Sequence, residues 1–203
     1  MKNYILIFIL CLIVLVSNAQ TANDYYMKGV KKSQSNDYRG AIEDFTKAIE
    51  LFPDIKYYER RAFNKYLVKD FQGAIEDFTK VIKLDTTCFI CFSKRADCKF
   101  SIGDFRGAIV DFTKAIELEP DNDGILTCYW TRGICNDNIK DYRGAIEDYT
   151  KAIKLEPDYS ELYINRAFTY LDLGLKNSGC LDFSKAGELG DKNAIWYIKE
   201  YCK

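Results

Sequence analysis

The sequence predicts an all-α chain, a solenoid of about five stacked helical hairpins closed by a C-terminal capping helix. Three observations carry that prediction. Four segments are nearly the same: DYRGAIEDFTKAIELFPD from Asp37, DFQGAIEDFTKVIKLDTT from Asp70, DFRGAIVDFTKAIELEPD from Asp104 and DYRGAIEDYTKAIKLEPD from Asp141. A fifth, LKNSGCLDFSKAGELGDK from Leu175, is decayed but in register. The aspartates Asp44, Asp77, Asp111, Asp148 and Asp182 lie 33, 34, 37 and 34 residues apart, a period that belongs to stacked helix pairs. Only 3 prolines and 12 glycines occur in 203 residues, which favours long regular elements over loops.

The first element in the chain reads as an export signal rather than as part of the fold. Lys2 supplies a positive start, Tyr4 to Val16 carry no charged side chain, and Ser17-Asn18-Ala19 place small residues before Gln20. We therefore expect residues 1–19 to be a signal peptide cut after Ala19, and the mature chain to be periplasmic or secreted, with no membrane insertion after cleavage. The rival reading is an uncleaved anchor, but the run is short against the roughly 20 residues of a spanning helix. Cys11 follows the large Leu10, where a lipid-attachment site wants a small residue.

The rest, 20–203, reads as one repeat domain with hairpins at about 22–54, 55–88, 89–121, 126–159 and 160–192 and a cap helix at 193–203. In the second hairpin Ala74, Phe78 and Val81 recur at i, i+4 and i+7, one stripe of a helix that Ile75 and Ile82 widen. Tyr58, Ala62 and Tyr66 form the stripe of the preceding helix. Ala62 and Ala74 are small enough for two backbones to approach closely. Asp37, Asp70, Asp104 and Asp141 stand where a helix N-cap is needed. Pro53, Pro120 and Pro157 stand just past the second helices, where a helix stops. At the end of the chain, Ala194, Ile195, Ile198 and Cys202 mark one helical face, suited to a cap with a polar outer side.

Two rows of charge recur. Each of Lys28, Arg61, Arg95, Arg132 and Arg166 is followed sixteen residues later by Asp44, Asp77, Asp111, Asp148 or Asp182. We expect a ladder of cation–carboxylate pairs between the helices, which would satisfy their partial burial. The recurring Thr46-Lys47, Thr79-Lys80, Thr113-Lys114 and Thr150-Lys151 read as a solvated face without function.

These residues together resemble the tetratricopeptide repeat. The pattern runs through Tyr58, Arg61, Ala62, Ala74, Phe78 and Val81. It runs again through Phe92, Arg95, Ala96, Ala108, Phe112, Ala115 and Pro120, and through Tyr129, Arg132, Gly133, Ala145, Tyr149, Ala152 and Pro157. The first hairpin departs with Lys28-Gly29, the fifth with Gly179 and Asp191. The resemblance spans about 22–192. It implies a right-handed superhelix whose first helices line a concave groove that holds a protein or peptide. Carried over residue by residue, the groove positions are Tyr26, Val30, Glu59, Phe63, Ser93, Asp97, Trp130, Ile134, Ile164 and Phe168. One turn further come Tyr66, Phe100, Asp137 and Leu171. They vary between hairpins while the packing positions repeat, and they are rich in aromatics, which give large contact area. Relatives that grip a terminal carboxylate use Lys, Arg and Asn there; Tyr26, Glu59, Phe63 and Asp97 do not support that clamp, and an apolar or aromatic segment is the expected ligand.

Seven cysteines follow residue 19, and export would place them where disulfides persist. Cys180 lies on the second helix of the fifth hairpin and Cys202 on the cap expected to pack there. Similar ends in this family carry the same two cysteines, so a disulfide clamping the cap is expected. Cys91 and Cys98 repeat at Cys128 and Cys135. Equivalent positions on neighbouring helices sit roughly 8–10 Å apart, too far for Cys91–Cys128 or Cys98–Cys135 bonds. Cys88-Phe-Ile-Cys91 at a helix start reads as a redox pair, as half a zinc site whose second half is missing, or as packing or a static disulfide.

The composition narrows the chemistry. There is no histidine, so Ser-His and Cys-His nucleophile pairs and histidine metal sites are excluded. The 29 basic and 30 acidic residues give a net charge of −1 with no basic face, which argues against nucleic acid. The expected function is a non-enzymatic scaffold outside the cytoplasm that holds another protein or peptide, without cofactor or metal. The alternatives are a thiol-redox or metal-binding protein using Cys88 and Cys91, and a self-associating assembly factor.

Overall fold

The computed structural model describes residues 2–118 and 124–203. Among them are eleven helices and no strand. They are α1 (Lys2–Gln34), α2 (Tyr38–Leu51), α3 (Ile55–Leu67), α4 (Phe71–Leu84), α5 (Phe89–Ser101), α6 (Phe105–Leu118), α7 (Ile125–Asn138), α8 (Tyr142–Leu155), α9 (Ser160–Asp172), α10 (Lys176–Glu188) and α11 (Ala194–Tyr201). They form two compact units, Met1–Thr87 with α1–α4 and Cys88–Lys203 with α5–α11. In each unit the helices pair into hairpins and successive hairpins stack; α11 packs on α10. This is the all-α hairpin architecture that the repeat predicts. Pro120 and the side chains of Lys2 and Cys11 lie outside the described residues.

The hairpin turn shows why the repeat breaks where it does. Asn36, Lys69, Gly103, Lys140 and Gly174 all adopt left-handed backbone, with φ between 63° and 80°. The amide after each donates back to the first helix: Asp37 to Lys32, Asp70 to Lys65, Asp104 to Lys99, Asp141 to Asn136 and Leu175 to Tyr170, at 2.7–2.9 Å. That is a left-handed helix ending that satisfies the last carbonyls. In four of the turns the same aspartate starts the next helix. Asp37, Asp70, Asp104 and Asp141 accept the amides of Gly40, Gly73, Gly107 and Gly144 at 2.9–3.1 Å. The carboxylate lies close over that glycine: a Cβ at Gly73 would be 2.3 Å from it, so the Asp70 side chain would have to shift. Leu175 makes no such cap.

The core is a repeated set of small and aromatic residues. Phe45, Phe78, Phe112, Tyr149 and Phe183 are buried, each with an alanine, valine or glycine one turn away on either side. Burying one such ring stabilises by about 1.5–3 kcal/mol. The first helices add two further buried rows: Tyr57, Cys91, Cys128 and Leu162, then Asn64, Cys98, Cys135 and Thr169. Four cysteines therefore sit at core positions as small apolar residues.

The charged ladder forms, with one correction. Arg61, Arg95, Arg132 and Arg166 each make a two-pronged hydrogen bond to Asp77, Asp111, Asp148 and Asp182 at 2.6–2.9 Å. In the first hairpin Lys28 does not reach Asp44. Lys32, one turn later, lies 2.7 Å from it, and Lys28 stands over the Tyr25 ring instead. The same later position supplies a second donor elsewhere: Lys65 to Asp77, Lys99 to Asp111 and Asn136 to Asp148, at 2.8–3.1 Å. Each arginine also stacks over the aromatic ring three residues before it, Tyr58, Phe92, Tyr129 or Tyr163, at 5.6–5.7 Å.

The threonines are not idle. Arg61 donates to Thr46 at 3.0 Å, Arg132 to Thr113 and Arg166 to Thr150 at 2.8 Å, and each threonine belongs to the preceding hairpin. One guanidinium thus joins two hairpins. The cap also differs from expectation: Ile195 and Trp196 face outward, 79% and 55% exposed, so its outer side is not purely polar. Its inner face is Ala194, Tyr197 and Tyr201, with the two tyrosine rings on Phe183 and Phe168.

Candidate functional site

In the second unit the first helices leave a hollow of about 240 Å³. It is lined by Phe89, Ile90, Ser93, Lys94 and Asp97 of α5, by Phe112 of α6, and by Gly124, Thr127 and Cys128 at the start of α7. Phe112 and Cys128 are buried and supply apolar wall; Ile90 is 42% exposed. Small residues make the space: Ser93 is the hydroxyl counterpart of Trp130 in the next hairpin, and Gly124 brings no side chain. Lys94 and Asp97 pair at 2.8 Å and put one ion pair among the apolar walls. Burial pushes the Cys128 thiol up to about 12, with the Asp97 carboxylate adding to the shift. Such a hollow accepts one apolar side chain beside a polar group. Among its described lining residues the one thiol, Cys128, is held protonated by that burial.

Ser93 and Asp97, both expected in a groove, meet in this hollow. Ile134 and Ile164 are half-exposed on α7 and α9. Trp130 stands edge-on to Tyr159 at 5.2 Å. Phe100 packs against Phe105 of its own hairpin, and Phe168 is taken up by the cap through Tyr197 and Tyr201. Asp137 turns inward: it accepts the Tyr149 hydroxyl at 2.7 Å and Thr169 at 2.9 Å, joining two hairpins. Burial raises its pKa against the opposing pull of those two hydrogen bonds. In the first unit Tyr26 packs on Phe45 and Tyr57, Phe63 stands edge-on to Phe78, Tyr66 packs on Phe71, and Glu59 is half-buried. The lining residues that the repeat pattern did not single out as groove-lining are Phe89, Ile90, Lys94, Phe112, Gly124, Thr127 and Cys128.

The cysteines separate into three groups. Cys180 and Cys202 are disulfide-bonded with Cα atoms 5.7 Å apart, as expected for the cap. Cys88 and Cys91 are bonded to each other with Cα atoms 5.3 Å apart. In this state neither sulfur is a thiolate that a metal could take. Cys98, Cys128 and Cys135 are buried in the core and take part in neither bond. Burial also pushes the Cys135 thiol up to about 12. Among the described residues no group of three or more Cys, Asp or Glu is placed to hold a metal ion, and no helix is long and apolar enough to cross a membrane.

Comparison with known proteins supports the repeat. The family described as "TPR repeat" matches residues 140–174, and the one described as "Tetratricopeptide repeat" matches residues 25–55 and 92–122. No curated protein matches the chain. A crystal structure of MamA is similar at 26% identity, covering 87% of this chain and 96% of that one, with a TM-score of 0.79. MamA 41-end from Desulfovibrio magneticus RS-1 is similar at 18% identity, covering 83% and 94%, with a TM-score of 0.76. YrrB, described as a TPR protein with an unusual peptide-binding site, shares the fold at 17% identity, covering 87% and 90%, with a TM-score of 0.77.

Proposed function

Because this chain belongs to the tetratricopeptide-repeat family, we propose that it is a protein-interaction scaffold whose first helices hold a polypeptide segment. The hollow walled by Phe89, Ile90 and Phe112 carries this reading, because it offers an apolar seat with an ion pair beside it. Its walls Phe112 and Cys128 belong to the repeating packing rows, whereas Ser93 and Asp97 differ from the residues at the same positions in the other hairpins. YrrB, which shares the fold, is described as having a peptide-binding site, and that description agrees with the reading. The segment it favours has an apolar or aromatic anchor next to polar groups.

We place the scaffold outside the cytoplasm. The uncharged run from Tyr4 to Val16 supports this. So does its exposure: Tyr4 and Val16 are 79% and 68% exposed, and among the described side chains the first buried one is Ala22. Cell fractionation with intact-mass measurement tests it; recovery of the chain in the cytoplasmic fraction with residues 1–19 intact contradicts it.

A peptide array tests the binding. Segments retained by the purified chain should carry an apolar anchor. Ile90→Glu should weaken them roughly tenfold or more, as loss of a central contact does. Val110→Glu, at a 65% exposed position of α6, should leave them unchanged. An Ile90→Glu protein with the same array profile as the wild type would remove the hollow from the function.

A further inference from the structure

The Cys88–Cys91 bond has a different setting from the Cys180–Cys202 clamp. It closes a four-residue loop at the start of α5, and its sulfurs are unequal. Cys91 is completely buried, at the core position that Cys128 and Leu162 hold in the later hairpins, while Cys88 is only partly covered. Cys88 is the N-cap of α5, and its Sγ accepts the backbone amide of Cys91 at 3.2 Å. An amide donor and the positive end of a helix stabilise a thiolate at that atom. The two residues between the cysteines, Phe89 and Ile90, are both walls of the hollow. A polypeptide seated there would touch the two residues that the disulfide brackets.

We propose that Cys88 and Cys91 form a thiol–disulfide exchange site for cysteine-containing polypeptides, with Cys88 the exchanging sulfur and Cys91 the resolving one. In the reduced pair the Cys88 thiolate attacks a substrate disulfide R–S–S–R′. A Cys88–S–S–R bond forms, the substrate S–S bond breaks, and R′–S⁻ leaves and takes a proton from water. Cys91 then gives up its proton and attacks Cys88 Sγ. The R–S⁻ that leaves takes that proton, and the internal bond seen here is restored. Two electrons pass from the pair to the substrate, which ends as two thiols. Every step is reversible, so the bonded pair accepts two electrons from a substrate dithiol by the same route. The seat for the polypeptide rests on the hollow proposed above; the exchange chemistry of the two sulfurs does not.

The test uses oxidised glutathione as probe, alkylation and peptide mass mapping. In graded reduced-to-oxidised glutathione buffers, the folded chain should open Cys88–Cys91 under conditions that leave Cys180–Cys202 closed. Cys91→Ser with oxidised glutathione should give a mixed disulfide on Cys88. It should form at least about tenfold faster than the adduct on Cys91 in Cys88→Ser, and faster than on the same Cys91→Ser chain unfolded in urea. Circular dichroism confirms that both variants are helical. Co-reduction of the two bridges, a Cys88 adduct no faster in the folded chain than in the unfolded one, or preferential reaction at Cys91 would each overturn the proposal. The glutathione readouts need no bound polypeptide, so they stand or fall separately from the peptide array.

Discussion

Asp148→Ala tests the physical account of the ladder most directly. Asp148 accepts Arg132 Nε at 2.8 Å and Nη2 at 2.6 Å, and Asn136 at 3.1 Å. The arginine side chain is 14% exposed and the aspartate 3%. Removing the carboxylate leaves a guanidinium that cannot deprotonate, with Thr113 and the Tyr129 ring as its remaining partners. Breaking a buried pair by removing one partner costs about 3–5 kcal/mol. The partial exposure of Arg132 lets it recover some hydration, so we expect a loss of about 3 kcal/mol and a fall in Tm on the order of 10 °C. Replacing both partners with apolar residues, Arg132→Met with Asp148→Leu, should recover most of it, to within about 1 kcal/mol of wild type. Urea denaturation followed by far-UV circular dichroism reads both. A single substitution costing less than about 1 kcal/mol, or a double as damaging as the single, would show that the pair is solvated rather than buried in effect.

Other consequences can be checked by similar means. Phe112→Ala, at a fully buried ring, should cost about 3–5 kcal/mol in the same denaturation assay. Gly103→Ala should destabilise by about 1 kcal/mol because φ is 80° there, whereas Lys69→Gly, at φ 64°, should not destabilise. Burial raises the Asp137 pKa in the folded chain, so the native state holds that proton more tightly than the unfolded one. The stability linked to it is present below the ordinary carboxylate value and is lost as pH rises through the folded pKa. The Tm of Asp137→Asn relative to wild type should therefore rise as pH increases above the ordinary carboxylate range; a pH-independent difference would contradict the assignment.

The repeat made the hairpins, caps and four of the five carboxylate pairs readable, because each recurs in one chain at fixed spacing. What it hid has physical reasons. Lys28 aligns with the arginines, but a primary amine has no planar fork to bridge the ring and the carboxylate together. The amine one turn later, Lys32, is the one that reaches Asp44. The threonines looked solvated because their partner lies in the following hairpin, about fifteen to nineteen residues on, beyond helical periodicity. Lys69 and Lys140 masked a left-handed turn position that Gly103 and Gly174 advertise. Of the expected groove residues, Ser93 and Asp97 met in one hollow. Its other walls come from α6 and from the start of α7, a combination that depends on packing and not on register. Phe168 and Asp137 carry groove positions but are drawn to the cap and to Tyr149, neighbours that only the folded chain supplies.

The arginine shared between hairpins has a consequence for how such an array comes apart. Detaching the hairpin that carries Thr113 strips Arg132 of one anchor, and melting the hairpin that carries Arg132 leaves the Thr113 hydroxyl without its donor. Each neighbour loosens at the cost of a hydrogen bond in the other. Fraying that starts at an end should therefore proceed in whole-hairpin steps, visible as amide hydrogens that exchange in blocks.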